Sequence, residues 1–164
     1  MAAEDDALRA QLDAAGDEYV RAGSADPQLV ALRRKHNSRL SQIIDEVGWP
    51  GLATAGPDGS DAAWRLAMFA LDEPALQARC LQAMEDVVEE GDVLAWQPAF
   101  LLDRLLMQEG KEQVYGSQLV TSSGGDMFAP WPMQEPDTVD QRRSAIGAGT
   151  LADALRAAHD AARA

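Results

Sequence analysis

"AFLLDRLLMQEGKEQVYGSQLV", residues 99–120, decides how the fold is read. Ala99 to Met107 is apolar at core level, with Asp103 and Arg104 set in its middle. Pro98 fits only in a helix's first turn, so the helix is expected over 96–109, closing at Gly110. The period then changes. "EQVYGSQLV" alternates and is rich in β-formers, "TSSGG" is turn chemistry, and "DMFAPW" returns as a second strand. A lone hairpin is marginal in water, so this one must lie against helices.

Working outward, every other long segment reads as helix. Residues 3–22 form a polar, alanine-rich helix with Leu8, Leu12 and Tyr19 on one stripe, broken by "GSADP". Asp26 can cap the next helix, with Pro27 at its first position. That helix places Leu29, Leu32, His36, Leu40, Ile43 and Val47 on one face and ends at Gly48. "GWPGLATAGPDGS" reads as a loop. A short helix over 61–71 turns Trp64, Ala67, Met68 and Leu71 inward, and another runs from Pro74 to about Glu90. After the extended "PWPMQEP", Thr138 to Ile146 and Leu151 to Ala162 close the chain, the last capped by Thr150. The expectation is a mainly α fold: a helical bundle of six to seven helices with one small β-hairpin near residues 112–131. Residues 1–25 form a peripheral N-terminal helix, and 26–164 a single globular domain.

Composition narrows the function classes. The chain has 164 residues, 46% apolar and 25% charged, as in soluble globular proteins. Its formal charge of −13 repels phosphate backbones and anionic headgroups, so neither nucleic acid nor a membrane is an expected partner. The one basic cluster, Arg33 to His36, reads as the solvated side of a helix. A single cysteine, Cys80, forms no intrachain disulfide. The acidic start lacks a leader's basic and apolar regions, and no apolar run approaches the roughly 18 residues of a membrane span, so a cytoplasmic setting is expected. There is no P-loop, no Gly-x-Gly-x-x-Gly after a strand and no Gly-x-Ser-x-Gly elbow. Two histidines and one cysteine leave no zinc set of the usual spacing, so no metal and no cofactor is expected.

Three places carry polar groups into apolar elements. His36 lies on the apolar stripe of its helix beside Asn37, either as a hydrogen-bonded core histidine or as a pocket wall able to move a proton. Arg39, at the edge of the same face, could hold an anion bidentately. Asp103 and Arg104 are about 100° apart on their helix, so each needs an outside partner. Either Asp103 caps a backbone donor while Arg104 pins a carboxylate, or both face a polar pocket. In "QVYGSQ", Tyr115 and Gln118 flank Gly116, which marks a bulge or a close backbone approach. Arg142 and Arg143 read as surface ion pairs, and His159 as a surface residue.

"HNSRLSQIIDEVGWP", "AAW", "LLDRLLMQEGKEQVYGSQ" and "VDQRRSAIG", taken in order, resemble a family of small bacterial proteins known as a domain of unknown function. The resemblance spans roughly residues 36 to 155. His36, Asn37, Asp45, Trp49, Pro50, Trp64, Asp103, Arg104, Gln113, Tyr115, Gly116 and Gln118 fall on its pattern. Ser117 replaces the family's threonine. Met68-Phe69-Ala70 stands where the family reads Gln-His-Ala, so a second histidine is missing here.

Three function classes follow. One is a metal-independent hydrolase or group-transfer enzyme acting on a small anionic or polar ligand. In it His36 moves the proton, Asp103 orients it, Arg104 anchors an anionic group, and Asn37, Arg39, Tyr115 and Gln118 position the ligand. Another is a non-catalytic module binding a small molecule or peptide in the same pocket. The third is an acidic helical domain for protein interaction. Sequence leaves open which applies, whether the chain is an enzyme, and its oligomeric state.

Overall fold

Gln77 on one helix donates to the Ala67 and Met68 carbonyls at the end of another, at 2.9 and 3.3 Å. Such side-chain caps on helix ends recur through the molecule. The structure is a computed structural model that describes residues 27–121 and 128–163. The expected helix over 3–22, the Asp26 cap and the turn from Ser122 lie outside the described residues. Within them the fold is mainly α, with six α-helices and one two-stranded antiparallel hairpin. None of these helices is long and apolar enough to cross a membrane.

The described chain forms two compact units that meet in sequence at Val93 and Leu94. In the first, α1 (Pro27–Val47), α2 (Leu52–Phe69) and α3 (Pro74–Val88) pack pairwise. Pro27 opens α1 and Gly48, at φ +78°, follows its end. Leu40 and Ile43 of α1, Ala63 and Leu66 of α2, and Leu76, Cys80 and Met84 of α3 are buried together in this unit's core. The run of alanines on α2 allows close approach of its neighbours.

Three expectations are corrected here. The loop expected over 48–60 is helical from Leu52 onward. Its glycine and proline content is absorbed by one kink, where Gly56 takes φ +68° before Pro57. Asp92 secures the start of that helix from forty residues away: Leu52 N–H donates to the Asp92 carbonyl and Ala53 N–H to its carboxylate. Gly51 is needed there, because an added Cβ would collide with Asp92. Val47 is 62% exposed rather than in the core, since it stands in the last turn of α1 at the rim of a cavity. Leu71 is exposed because α2 ends before it, at Phe69.

The second unit holds α4 (Trp96–Gln108), β1 (Leu119–Thr121), β2 (Phe128–Pro130), a 3-10 turn (Pro136–Thr138), α5 (Val139–Ala145) and α6 (Leu151–Ala161). Leu119 pairs with Pro130 and Thr121 with Phe128. The first strand is shorter than "EQVYGSQLV" implies: residues 113–118 form a loop, touched by one bridge from Gln113 to Met133. The last helix is capped as expected, Thr150 Oγ1 accepting from Asp153 N–H at 3.1 Å. His159 is half-buried, not a free surface residue: it accepts from Phe128 N–H at 2.9 Å, and the two rings lie 5.6 Å apart.

Candidate functional site

The interior of the second unit is polar. Gln97, Asp103, Gln113, Gln118 and Arg143 are buried there, beside few apolar side chains of which Leu101 and Val139 are the largest. Most of them serve one loop. Asp103 reaches from α4 to accept the N–H groups of Val114 (2.7 Å), Tyr115 (3.1 Å) and Ser117 (3.0 Å), and the Ser117 hydroxyl (2.9 Å). Gln113 accepts from Gln118 N–H and donates to the Gln118 and Trp131 carbonyls. Gln118 donates to the Phe100 carbonyl at 3.3 Å. Gly116 sits at φ +65°, where an added Cβ would press Leu151 and Met133.

Two arginines close the loop from outside, and neither is a surface ion pair. Arg142 donates to the carbonyls of Val114 (2.8 Å) and Gln134 (2.6 Å) and to the Thr138 hydroxyl (2.6 Å). Arg143, 4% exposed, donates to the carbonyls of Tyr115 and Gly149, with its guanidinium 5.6 Å from the Phe100 ring centre. Burial lowers the Arg143 pKa, and Asp140, Asp103 and Asp153 oppose that shift. Backbone groups need partners wherever water is excluded, and these side chains supply them.

The sequence-derived site residues divide between the units. His36, Asn37 and Arg39 belong to the first: His36 is half-buried, Asn37 is buried and donates to Glu73 at 2.9 Å, and Arg39 is exposed. Asp103, Arg104, Tyr115 and Gln118 belong to the second, where Asp103, Tyr115 and Gln118 come together in the loop network. Arg104 is half-buried on α4, with no hydrogen bond or ion pair among the described residues. Desolvation alone pushes its pKa below the ordinary arginine value.

A cavity of about 450 Å³ lies in the first unit. Its lining includes Asp45 and Trp49 from the end of α1, Thr54 from α2, Arg79 and Asp86 from α3, and Asp92 beyond it. Arg79 bridges to Asp45 and donates to the Ser41 hydroxyl at 2.9 Å. Asp86 accepts from Gln82 at 3.0 Å. Trp49 is 3% exposed, and its indole N–H has no acceptor among the described residues. Among those residues no group of three or more His, Cys, Asp or Glu side chains could hold a metal.

A family model described as a family of unknown function, DUF6624, matches residues 1–163. The chain belongs to DUF6624. No curated protein and no solved structure matches it significantly. The match reaches beyond the span over which the resemblance was read, to both ends of the chain.

In this DUF6624 chain the stretches that carried the resemblance take two physical roles. "DEVGWP" supplies cavity wall through Asp45, Gly48 and Trp49. "LLDRLLMQEGKEQVYGSQ" and "VDQRR" build the bracketed loop. Met68 is buried, while Phe69 is 38% exposed at the end of α2. Sequence reasoning missed Arg79, Asp86 and Asp92 as cavity residues. The usable signal was Arg79, a cation within reach of Asp45 once α1 and α3 lie side by side in the same direction, as the Asn37–Glu73 and Asp45–Arg79 contacts place them.

Proposed function

We propose that this protein is a non-catalytic binding module for a small polar ligand, seated in the cavity beside Asp45, Trp49 and Arg79. One observation carries the reading: a cavity within the usual range of ligand sites, with charged and hydrogen-bonding groups converging on a partly apolar wall. The hydrolase reading asks Asp103 to orient a proton-moving histidine. Both oxygens of Asp103 instead accept from the loop over 114–117, which favours binding over catalysis. A cytoplasmic setting fits a lone thiol that burial holds protonated.

A thermal-shift screen with a metabolite library tests this, run on the protein and on Ala83→Leu, which fills cavity space, and Arg104→Ala, in the other unit. A bound ligand raises the melting temperature according to its concentration over its dissociation constant. The expected result is a shift lost in Ala83→Leu and kept in Arg104→Ala. Shifts that survive Ala83→Leu and vanish in Arg104→Ala overturn the reading.

A further inference from the structure

The two flanks of α1 differ in kind. One meets α3: Asn37 donates to Glu73, and Ser41 and Asp45 take Arg79. The helical repeat puts Leu32, Lys35, His36 and Arg39 on the other. There Leu32 is half-buried, while Lys35 and Arg39 are exposed and have no ion pair among the described residues. Arg33 and Arg34 extend the strip of positive charge, and α1 carries no carboxylate before Asp45. The chain as a whole stands at −13.

Apolar surface is exposed at the same end of this unit. Arg33 pairs with Asp72 at 3.7 Å. Phe69 and Leu71, just before Asp72 in the chain, are 38% and 45% exposed. Apolar side chains exposed beside a strip of one charge mark a contact surface. The face is separate from the cavity, which α1 lines only from Ile44 onward.

The segment that leads into α1 matches this face. Residues 1–26 join the helix at Pro27, about 9 Å of helix axis from Arg33. They carry seven carboxylates against two guanidiniums, and Leu8, Leu12 and Tyr19 fall on one stripe. Gly23 to Asp26 has the length of a turn that joins two antiparallel helices. The expected helix over 3–22 is about 30 Å long, close to the length of α1. A fold-back at that turn sets Tyr19 near the level of Val30, and Asp13 near that of His36, between Lys35 and Arg39. The family model also takes in this segment, since it matches from residue 1.

We infer that the occupant of this face is the chain's own N-terminal segment, residues 3–22, folded back along α1. Leu8, Leu12 and Tyr19 cover the apolar surface at Leu32 and Phe69, and the acidic residues of the segment answer Lys35 and Arg39.

Amide exchange of the full chain at low salt, followed at residues 8–19 over a range of protein concentrations, tests this. The expected result is protection at those amides that does not change with concentration. Lys35→Glu combined with Arg39→Glu is expected to accelerate their exchange roughly fivefold, and Asp13→Lys combined with Asp17→Lys to do the same. All four changes together are expected to restore most of the protection. Leu12→Ser is expected to speed exchange at the same amides while those around Cys80 keep theirs, which separates undocking from unfolding. Native residues 8–19 without protection would leave the face to an outside partner and overturn the inference. Protection that rises with concentration would assign the face to a second copy and overturn it as well. So would exchange that the charge reversals leave unmoved, or that their combination fails to restore.

Discussion

Asp103 and Ser117 are joined twice on one carboxylate oxygen, which accepts the Ser117 N–H at 3.0 Å and its hydroxyl at 2.9 Å. The other oxygen takes Val114 and Tyr115 N–H, so a wholly buried charge is matched by the donors of a single turn. Asp103→Asn turns one oxygen into a donor facing donors, and Asp103→Ala empties the site. Each is expected to destabilise the protein, by about 2 kcal/mol for Asn and about 3 kcal/mol for Ala. Urea unfolding measures the loss. Amide exchange at Val114, Tyr115 and Ser117 should accelerate ahead of exchange in α4. Unchanged exchange at those three amides would refute the bracket.

The sequence showed that Asp103 and Arg104 could not serve one another, and the helix around them is where the spacing puts it. Which of the two was satisfied was not legible. The partners of Asp103 are backbone N–H groups, which every residue but proline carries, so no residue type announces them. The helix start at Leu52 was hidden for a like reason: its cap, Asp92, is far along the chain, while the local glycines and Pro57 read as a turn. Helical periodicity gave the buried Leu40 and Ile43 correctly. It could not say that the stripe stops short of Val47, because that depends on where neighbouring helices end. Asp45 and Trp49 stood out as part of a pattern, but a cavity belongs to three helices at once and has no local signature.

Arg104 is the counterpart of Asp103. It is half-buried and desolvated, without a hydrogen bond or ion pair among the described residues. Its Nε–H is closed off from water without an acceptor, and a buried donor left unpaired opposes folding. Arg104→Met keeps the length and apolar character of the stem. It is expected to raise stability by about 1 kcal/mol, read as a higher urea midpoint at unchanged slope. A lower midpoint would mean that Arg104 is held by a partner after all.

His159 ties α6 to the hairpin. Its Nε2 accepts the Phe128 N–H, so the imidazole must be neutral at that nitrogen, and its ring also packs on Phe128. His159→Phe retains a ring but leaves the Phe128 N–H without an acceptor, while His159→Ala removes both contacts. The expected costs are about 1 kcal/mol and about 2 kcal/mol. Faster exchange of the Phe128 amide in both variants, and to a similar degree, would identify the hydrogen bond as the tie. Exchange that changes only in His159→Ala would assign the effect to ring packing instead.

Cys80 gives the fold a dependence on alkaline pH. The thiol is fully buried in the core of the first unit, and desolvation raises its pKa from the ordinary 9.0 to about 12, outweighing the opposing pull of Arg79. The folded state thus holds this proton more tightly than the unfolded state. Its contribution is fully present below the unfolded pKa, shrinks as the unfolded thiol ionises, and is lost as pH rises through the folded pKa. The window runs from about 9 to about 12. The largest possible effect is on the order of 4 kcal/mol, from three pKa units at 1.36 kcal/mol each. Cys80→Ala lowers stability at neutral pH through a small cavity, yet should flatten the alkaline limb of stability against pH. Every other ionisable group is common to the two proteins, so the difference between the two curves isolates the thiol. Parallel curves above pH 9 would remove Cys80 as the cause. The native thiol should also react with a disulfide reagent only as fast as the core opens, because the thiolate is the attacking form and burial suppresses it.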